Sequence, residues 1–236
     1  MLKLPEGMTA CLFDLDGVIT QTAKLHSAAW KQMFDDFLRE RAERTGEPFE
    51  EFTPHDYDRY VDGRPRLDGV RTFLEARGIE RDDGLVRRLG DRKNELVLKL
   101  IREEGVEVYE SSIDFVKEAQ REGLRRAVVS SSANTREVLE SVGIADLFET
   151  VVDGLVAARD GLPGKPAPDT FLAGARALGA EPPQAVVFED ALAGVEAGRA
   201  GGFGYVVGVD RTGQRDALAE HGADIVVDDL SELIER

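Results

Sequence analysis

The feature that most constrains the fold of this chain is a short apolar run, ACLF at residues 10–13, that leads into Asp14, Asp16 and Gly17. A run of this length predicts a buried strand, and charge is costly to bury close to the end of such a strand. Carboxylates retained there are typical of a catalytic site. They also occur in ordinary turns after strands, because Asp and Gly are common turn residues. This segment alone leaves both interpretations open.

Two later apolar runs, AVV at residues 127–129 and AVVF at residues 185–188, are also followed by polar residues. Ser130 follows the first, and Glu189 and Asp190 follow the second. Lys165 lies between these runs in a turn rich in glycine and proline, where a solvated lysine is less expected than in an open loop. In an open parallel sheet, ligands bind beyond the carboxyl ends of the strands. The sequence therefore predicts that these four side chains converge with the two aspartates.

The hydrophobic pattern divides the chain into two kinds of segment. From about residue 105 onward, strands alternate with helices, which predicts an α/β fold with a doubly wound parallel sheet. Before that point, apolar residues such as Trp30 and Met33 recur at helical spacing, and no convincing strand is present. We predict an α/β core domain of residues 1–21 and 105–236, with a helical cap domain of residues 22–104 inserted after the first strand.

Composition limits the partners and the location. The 236 residues carry a formal net charge of -16, which argues against nucleic acid or an anionic membrane as partner. The only cysteine, Cys11, lies in the first predicted strand, so a buried thiol without a disulfide is expected. The first residues lack the apolar core of a signal peptide, and no apolar run reaches the length of a membrane span. These features predict a cytoplasmic protein.

The predicted site is strongly acidic. If all were ionised, Asp14, Asp16, Glu189 and Asp190 would carry four negative charges, and Lys165 would offset only one of them. Such a cluster requires a divalent cation, and oxygen ligands without nearby cysteine or histidine favour a hard ion. Phosphate chemistry makes Mg²⁺ the expected cofactor. An aspartate could then act as a nucleophile toward a phosphoryl group, which would split one difficult step into two.

The four motifs, taken in order and spacing, resemble those of the haloacid dehalogenase superfamily of phosphotransferases. The resemblance implies that Asp14 is the nucleophile and becomes transiently phosphorylated, while Asp16 is the general acid and base. It implies a metal site formed by the Asp14 and Asp190 carboxylates and the Asp16 backbone carbonyl. Glu189 would be a further ligand or would hold the ligands in place. Ser130 and the amide of Ser131 would grip the phosphoryl oxygens, and Lys165 would neutralise developing charge.

Within the superfamily, the likeness extends to the β-phosphoglucomutase-like subfamily, whose fold carries a Rossmann-like core and an inserted helical cap. His26, on the first predicted cap helix, is implied to orient Asp16. The substrate would be a small sugar phosphate, and members with small caps suggest a monomer. The substrate-binding residues implied by the resemblance are Thr22, Gly63, Arg66, Lys93, Ser131, Ser132 and Asn134.

One departure from the subfamily pattern leaves the reaction open. The family has a lysine between Ser132 and Asn134, but this chain has Ala133. A lost cation weakens a site for a second phosphate, and our hypothesis is that Arg64 or Arg136 compensates. The expected reaction is the conversion of β-glucose 1-phosphate to glucose 6-phosphate. The alternative is a sugar-phosphate phosphatase on the same scaffold.

A third class, the phosphoreceiver signalling domain, is also doubly wound and also uses an aspartyl-phosphate with acidic Mg²⁺ ligands. Receivers need no acid two residues after the nucleophile and no inserted cap of this size. Both features favour an enzyme over a receiver.

Overall fold

The computed structural model describes residues 1–235 and divides into two compact units. The first consists of Met1–Gln21, Gly63–Pro65 and the chain from Val106 onward, and the second of Thr22–Asp62 and Arg66–Gly105. Gly63–Pro65 lies inside the range assigned to the cap from sequence, but it packs with the first unit. The predicted domain bounds themselves stay a prediction.

A six-stranded parallel sheet forms the centre of the first unit. The strands are β1 (Ala10–Phe13), β2 (Arg125–Val129), β3 (Thr150–Val152), β4 (Ala185–Glu189), β5 (Tyr205–Val209) and β6 (Ile225–Val227). Their order in the sheet is β3-β2-β1-β4-β5-β6, with every pair parallel, which confirms the predicted fold class.

The two central strands are apolar on both faces because helices cover both sides of the sheet. On one face, the rings of Phe13 and Phe188 stack with centroids 4.6 Å apart, and Phe115 packs edge-on against both. On the other face, Leu12 joins a cluster that includes Phe171. Cys11 is a buried free thiol in β1, as expected.

Helices connect the strands of the first unit. The helices are α5 (Glu110–Arg121), α6 (Thr135–Ser141), α7 (Gly154–Asp160), α8 (Asp169–Leu178), α9 (Leu192–Ala200) and α10 (Arg215–Glu220), with short 3₁₀ turns at Ala145–Leu147, Pro182–Gln184 and Leu230–Leu233.

The second unit is entirely helical, with no strand among its described residues. Its core contains a cluster of aromatic rings in which Phe34 contacts Trp30, Phe52 and Phe73. No helix within residues 1–235 is both long enough and apolar enough to cross a membrane. The elements are α1 (Ala23–Thr45), α2 (Pro54–Asp56) continued by a π-helical turn at Tyr57–Val61, α3 (Arg66–Ala76) and α4 (Asp83–Glu104).

Candidate active site

The predicted acidic side chains meet at one edge of the sheet. Asp14 follows β1, while Glu189 ends β4 and is followed by Asp190. Because β1 pairs in parallel with β4, their carboxyl ends lie side by side. One carboxylate oxygen from each of the three residues lies within 4.8 Å of the others. This arrangement brings together three of the residues that the sequence proposed as metal ligands.

Lys165 is buried among these carboxylates. Its Nζ atom donates to Oδ1 of Asp14, to Oε1 of Glu189 at 2.5 Å and to the carbonyl of Val129 at 3.0 Å. An ammonium group has three donors, so these contacts use all of them. Burial opposes the charged form, but the carboxylates of Asp14 and Glu189 raise the pKa of Lys165 above its ordinary value. Lys165 therefore holds a positive charge at the nucleophile.

Glu189 is completely buried and both of its carboxylate oxygens are engaged. Oε1 accepts from Lys165, and Oε2 accepts from the backbone amide of Ala191 at 3.0 Å. A Cβ at position 194 would overlap this carboxylate, so Gly194 leaves the room that the side chain occupies. Burial raises the pKa of Glu189, and the charge of Lys165 opposes that rise. These contacts favour a role in holding Lys165 and the loop that follows β4.

The turn after β1 requires glycine at position 17. The backbone amide of Asp14 donates to the carbonyl of Phe188 at 2.9 Å, which fixes the start of the turn. Gly17 has a φ of 88°, and a Cβ at this position would overlap the Asp190 carboxylate. Asp16, directly before it, is partly exposed. The turn therefore packs tightly against the Asp190 segment and leaves Asp16 accessible to solvent.

Consecutive hydroxyl–amide hydrogen bonds organise the loop after β2. The Ser130 hydroxyl accepts from the amide of Ser132 at 3.1 Å, and the Ser132 hydroxyl accepts from the amide of Asn134 at 3.2 Å. The Ser132 carbonyl in turn accepts from Gly154 at 2.9 Å. Ser130 is buried at the end of the strand next to β1. The four polar residues predicted to bind phosphate therefore share one ordered loop.

The Gly63–Pro65 segment lies against this same edge. The Ser131 hydroxyl donates to the Gly63 carbonyl at 2.7 Å, and a Cβ on Gly63 would lie 2.9 Å from Cβ of Ala191. A Cβ on Gly164, next to Lys165, would overlap the Pro65 ring. The segment thus contacts the loops that follow β2 and β4 and the turn that carries Lys165.

Comparison with known proteins identifies the family. A model described as haloacid dehalogenase-like hydrolase matches residues 8–202, which include the acidic cluster. The chain belongs to this family. A beta-phosphoglucomutase from Mycobacterium bovis is 52% identical over 99% of this chain and 94% of that protein. A phosphorylated carbohydrates phosphatase from Thermotoga maritima is 30% identical over 92% of each chain.

A solved structure gives the same assignment. The crystal structure of a beta-phosphoglucomutase from Clostridium difficile superposes with a TM-score of 0.77 at 26% identity, covering 96% of this chain and 93% of that one. The resemblance drawn from the motifs is therefore confirmed. This haloacid dehalogenase-like protein is an enzyme that acts as a phosphotransferase.

Four predicted substrate or positioning residues of this family member lie in the second unit. His26 and Lys93 form a buried pair, with Nδ1 and Nζ 3.0 Å apart, and Lys93 lies 5.0 Å from the centre of the Trp30 ring. Burial, together with the charge of Lys93, lowers the pKa of His26 well below its usual value. Thr22 is buried before α1, and Arg66 lies 3.6 Å from the Asp91 carboxylate. The roles of these four residues in the reaction stay predictions.

The structure separates the two arginines suggested as substitutes for the missing lysine at Ala133. Arg136 Nε lies 3.3 Å from the Asp153 carboxylate, and its Nη2 donates to the Val151 carbonyl at 3.1 Å. Arg64 forms no hydrogen bond or ion pair with any residue in 1–235. Of the two, Arg64 is the cation that is not already committed to the fold of this enzyme.

Sequence reasoning missed one loop of this haloacid dehalogenase-like site. Arg211 Nε donates to the Gly17 carbonyl at 2.7 Å, and Gln214 Nε2 donates to the Asp190 carbonyl at 3.0 Å. The loop follows β5, whose carboxyl end lies at the same edge as that of β4. Asp210 directly follows β5, as Asp14 follows β1, and this acidic residue at a strand end is the signal that could have found the loop.

Proposed function

We propose that the enzyme is a Mg²⁺-dependent β-phosphoglucomutase that converts β-glucose 1-phosphate into glucose 6-phosphate through an aspartyl-phosphate. The observation that carries the proposal is the buried contact of Lys165 with Asp14 and Glu189 beside Asp190. At this contact, Asp14 is the nucleophile, Lys165 is a fixed cation, and the carboxylates of Asp14 and Asp190 offer oxygen ligands. The 52% identity to a beta-phosphoglucomutase over nearly the whole chain supports the substrate.

The donor set at this edge fits Mg²⁺, which prefers oxygen ligands. The residues that would hold it are Asp14 and Asp190 through their carboxylates and Asp16 through its backbone carbonyl. Both oxygens of Glu189 already accept hydrogen bonds from Lys165 and Ala191, which favours its role as a support for the site. When bound, Mg²⁺ would offset the negative charge of the phosphoryl group and of the carboxylates around it.

The protein residues would act in two steps. The Asp14 carboxylate attacks the phosphorus of a sugar bisphosphate, and the bond to the sugar oxygen breaks while Asp16 gives that oxygen a proton. In the second step, Asp16 takes the proton from a sugar hydroxyl, which attacks the phosphorus and releases Asp14. Lys165 neutralises charge at Asp14 throughout. The Ser130 hydroxyl and the Ser131 amide would hold the phosphoryl oxygens.

A bisphosphate needs a second anion site away from Asp14. Ser132 and Asn134, on the loop after β2, are proposed to supply its polar groups. Arg64 is proposed to supply the charge, because it follows Gly63, whose carbonyl accepts from Ser131, and because its guanidinium has no partner in residues 1–235. The remaining proposed contacts come from Thr22, Gly63, Arg66 and Lys93, with His26 orienting Asp16.

A sugar-phosphate phosphatase is the second candidate, and Ala133 is the observation that favours it. A site without the lysine that the subfamily carries there would hold a second phosphate less tightly, and water could then accept the phosphoryl group. The relative named a phosphorylated carbohydrates phosphatase agrees with this candidate. Both reactions use the same Asp14, Asp16 and Lys165.

Phosphorus NMR with β-glucose 1-phosphate, Mg²⁺ and a trace of the 1,6-bisphosphate decides between the two candidates. Accumulation of glucose 6-phosphate supports the mutase, whereas inorganic phosphate as the only product supports the phosphatase. The same reaction in excess EDTA should stop, because the acidic cluster then lacks its cation. Turnover by the Asp14→Asn variant, whose amide cannot form the phosphoenzyme, would show that the nucleophile is misassigned.

A further inference from the structure

The loop of residues 210–214, which follows β5, is a preorganised element beside the acidic cluster. Oδ1 of Asp210 accepts from three successive backbone amides, those of Thr212 at 3.2 Å, Gly213 at 2.7 Å and Gln214 at 2.9 Å. Burial opposes the ionised form, but these amides lower the pKa of Asp210 overall. The charged Asp210 therefore fixes the loop without help from the acidic cluster.

Arg211 extends from this loop to the turn that carries Asp16. Its Nε donates to the Gly17 carbonyl at 2.7 Å, and its Nη1 donates to the Asp228 carbonyl at 2.9 Å. The guanidinium carbon lies 3.6 Å from the centre of the Tyr109 ring, so the group is also held by stacking. Hydrogen bonds from a charged donor are stronger than those between neutral groups.

The remaining nitrogen of Arg211 argues against a role in stability alone. Nη2 is buried and has no hydrogen-bond partner among residues 1–235. A buried donor without a partner costs stability. An arginine chosen only to hold the fold would be expected to satisfy this donor or to expose it.

The same loop also holds the segment after β4. Gln214 Nε2 donates to the Asp190 carbonyl at 3.0 Å, while Arg211 holds Gly17. The two segments leave no room between them, because a Cβ on Gly17 would overlap the Asp190 carboxylate. A shift of the Gly17 turn would therefore displace both Asp16 and Asp190.

We propose that Arg211 is a positioning residue that fixes the Gly17 turn, and with it Asp16, against the segment of Asp190. Arg211 is not proposed to touch the substrate, and it acts on Asp16 only through its hydrogen bond to the Gly17 carbonyl. The proposal rests on the proposed function for the role of Asp16 in proton transfer. Misplacing a catalytic group by about 1 Å can cost on the order of 100-fold in rate, so loss of this contact should lower kcat and leave substrate binding largely intact.

The test compares Arg211→Ala with Arg215→Ala. Arg215 also contacts the Asp228 region, through the Val226 carbonyl and the Asp228 carboxylate, but it does not contact the Gly17 turn. Arg211→Ala should lower kcat by about 10- to 100-fold, the range seen when residues that orient metal ligands are removed, with KM for β-glucose 1-phosphate unchanged. Arg215→Ala should keep the wild-type kcat.

A conservative variant and a stability measurement distinguish a positioning role of Arg211 from a loss of fold. Arg211→Lys, which retains the charge but loses the planar arrangement of guanidinium donors, should show an intermediate kcat, and added guanidinium should partly restore Arg211→Ala but not Arg211→Lys. Thermal unfolding of each variant identifies a loss of fold, in which case Arg211→Lys carries the comparison. Equal kcat losses in Arg211→Ala and Arg215→Ala, or a change in KM alone, would overturn the proposal.

The failure of the proposed function is separable from this result. If the wild-type enzyme hydrolyses p-nitrophenyl phosphate but does not act on β-glucose 1-phosphate, the substrate assignment is wrong. The Arg211 comparison is then made on p-nitrophenyl phosphate, with the same expected order of kcat values.

Discussion

The Nζ atom of Lys165 lies 2.5 Å from Oε1 of Glu189, and both residues are buried at the edge of the central sheet. Oδ1 of Asp14 accepts from the same ammonium group. Two carboxylates thus share one buried cation. Taking charges out of water is costly, and such a cluster is stable only while each charge keeps its partner.

Lys165→Met should therefore reduce stability as well as activity. The variant leaves the Asp14 and Glu189 carboxylates buried without their cation, and loss of one partner of a buried pair costs about 3–5 kcal/mol. Urea unfolding measures the change. The double variant Lys165→Met with Glu189→Gln should recover part of the loss, because one uncompensated charge is removed. Equal stability of the single and double variants would show that the ion pair does not set the stability of this edge.

The part of the site that could be predicted from sequence consists of the residues that end or directly follow a strand. Asp14, Ser130 and Glu189 each end or follow an apolar run, and parallel pairing of adjacent strands is sufficient to bring them together. Lys165 could be included because its turn lies between two such strands. Local pattern and sheet topology therefore predict the chemical centre of the enzyme.

The remainder of the site depends on contacts that no local pattern records. The position of Gly63–Pro65 against Ser131 joins segments far apart in the chain, and its helical neighbours suggested that it belonged to the cap. Asp210 directly follows the strand before Arg211, but no local pattern predicts that the Arg211 side chain contacts Gly17. Long-range packing, and not residue type, places both.

Gly17→Ala should be much more damaging than an alanine substitution at another glycine with the same backbone. Gly17 has a φ of 88°, and a Cβ there would overlap the Asp190 carboxylate, whereas Gly7 has a φ of 86° with open space around it. The left-handed backbone alone should cost Gly7→Ala about 1–2 kcal/mol. Gly17→Ala should add about 1–3 kcal/mol for the overlap and should also weaken Mg²⁺ binding.

Urea unfolding gives the first comparison, and titration of each variant with Mg²⁺ gives the second. Gly7→Ala is the matched control, because it changes the backbone preference at a turn away from the acidic cluster. If the two variants lost the same stability and bound Mg²⁺ equally well, the close approach of Gly17 to Asp190 would not constrain the site.

The buried pair of His26 and Lys93 predicts a pH-dependent stability. Burial and the charge of Lys93 lower the pKa of His26 well below 6.5, while in the unfolded chain it returns to about that value. As the pH falls below about 6.5, the unfolded state takes up a proton that the folded state does not, so stability falls by up to about 1.4 kcal/mol per pH unit.

Urea unfolding at about pH 7.5 and about pH 5.5 measures this loss. His26→Asn should reduce the difference between the two conditions, because the titrating ring is gone. His55→Asn, which changes an exposed histidine of the same unit, is the matched control and should keep the wild-type difference. An unchanged difference in His26→Asn would contradict the prediction.

Arg64→Ala and Arg136→Ala should separate the cation available to a second phosphate from the cation used by the fold. Arg136 is paired with Asp153 and bound to the Val151 carbonyl, whereas Arg64 has no partner in residues 1–235 and adjoins Gly63 at the Ser131 loop. Loss of a charge-assisted hydrogen bond costs about 1.5–3 kcal/mol, so Arg64→Ala should raise KM for the 1,6-bisphosphate by at least about tenfold. Arg136→Ala should lower stability and leave that KM near the wild-type value.

Measuring KM for the bisphosphate beside hydrolysis of p-nitrophenyl phosphate, which has no second phosphate, isolates the effect. Unchanged bisphosphate KM in Arg64→Ala would remove Arg64 from the site and strengthen the phosphatase candidate.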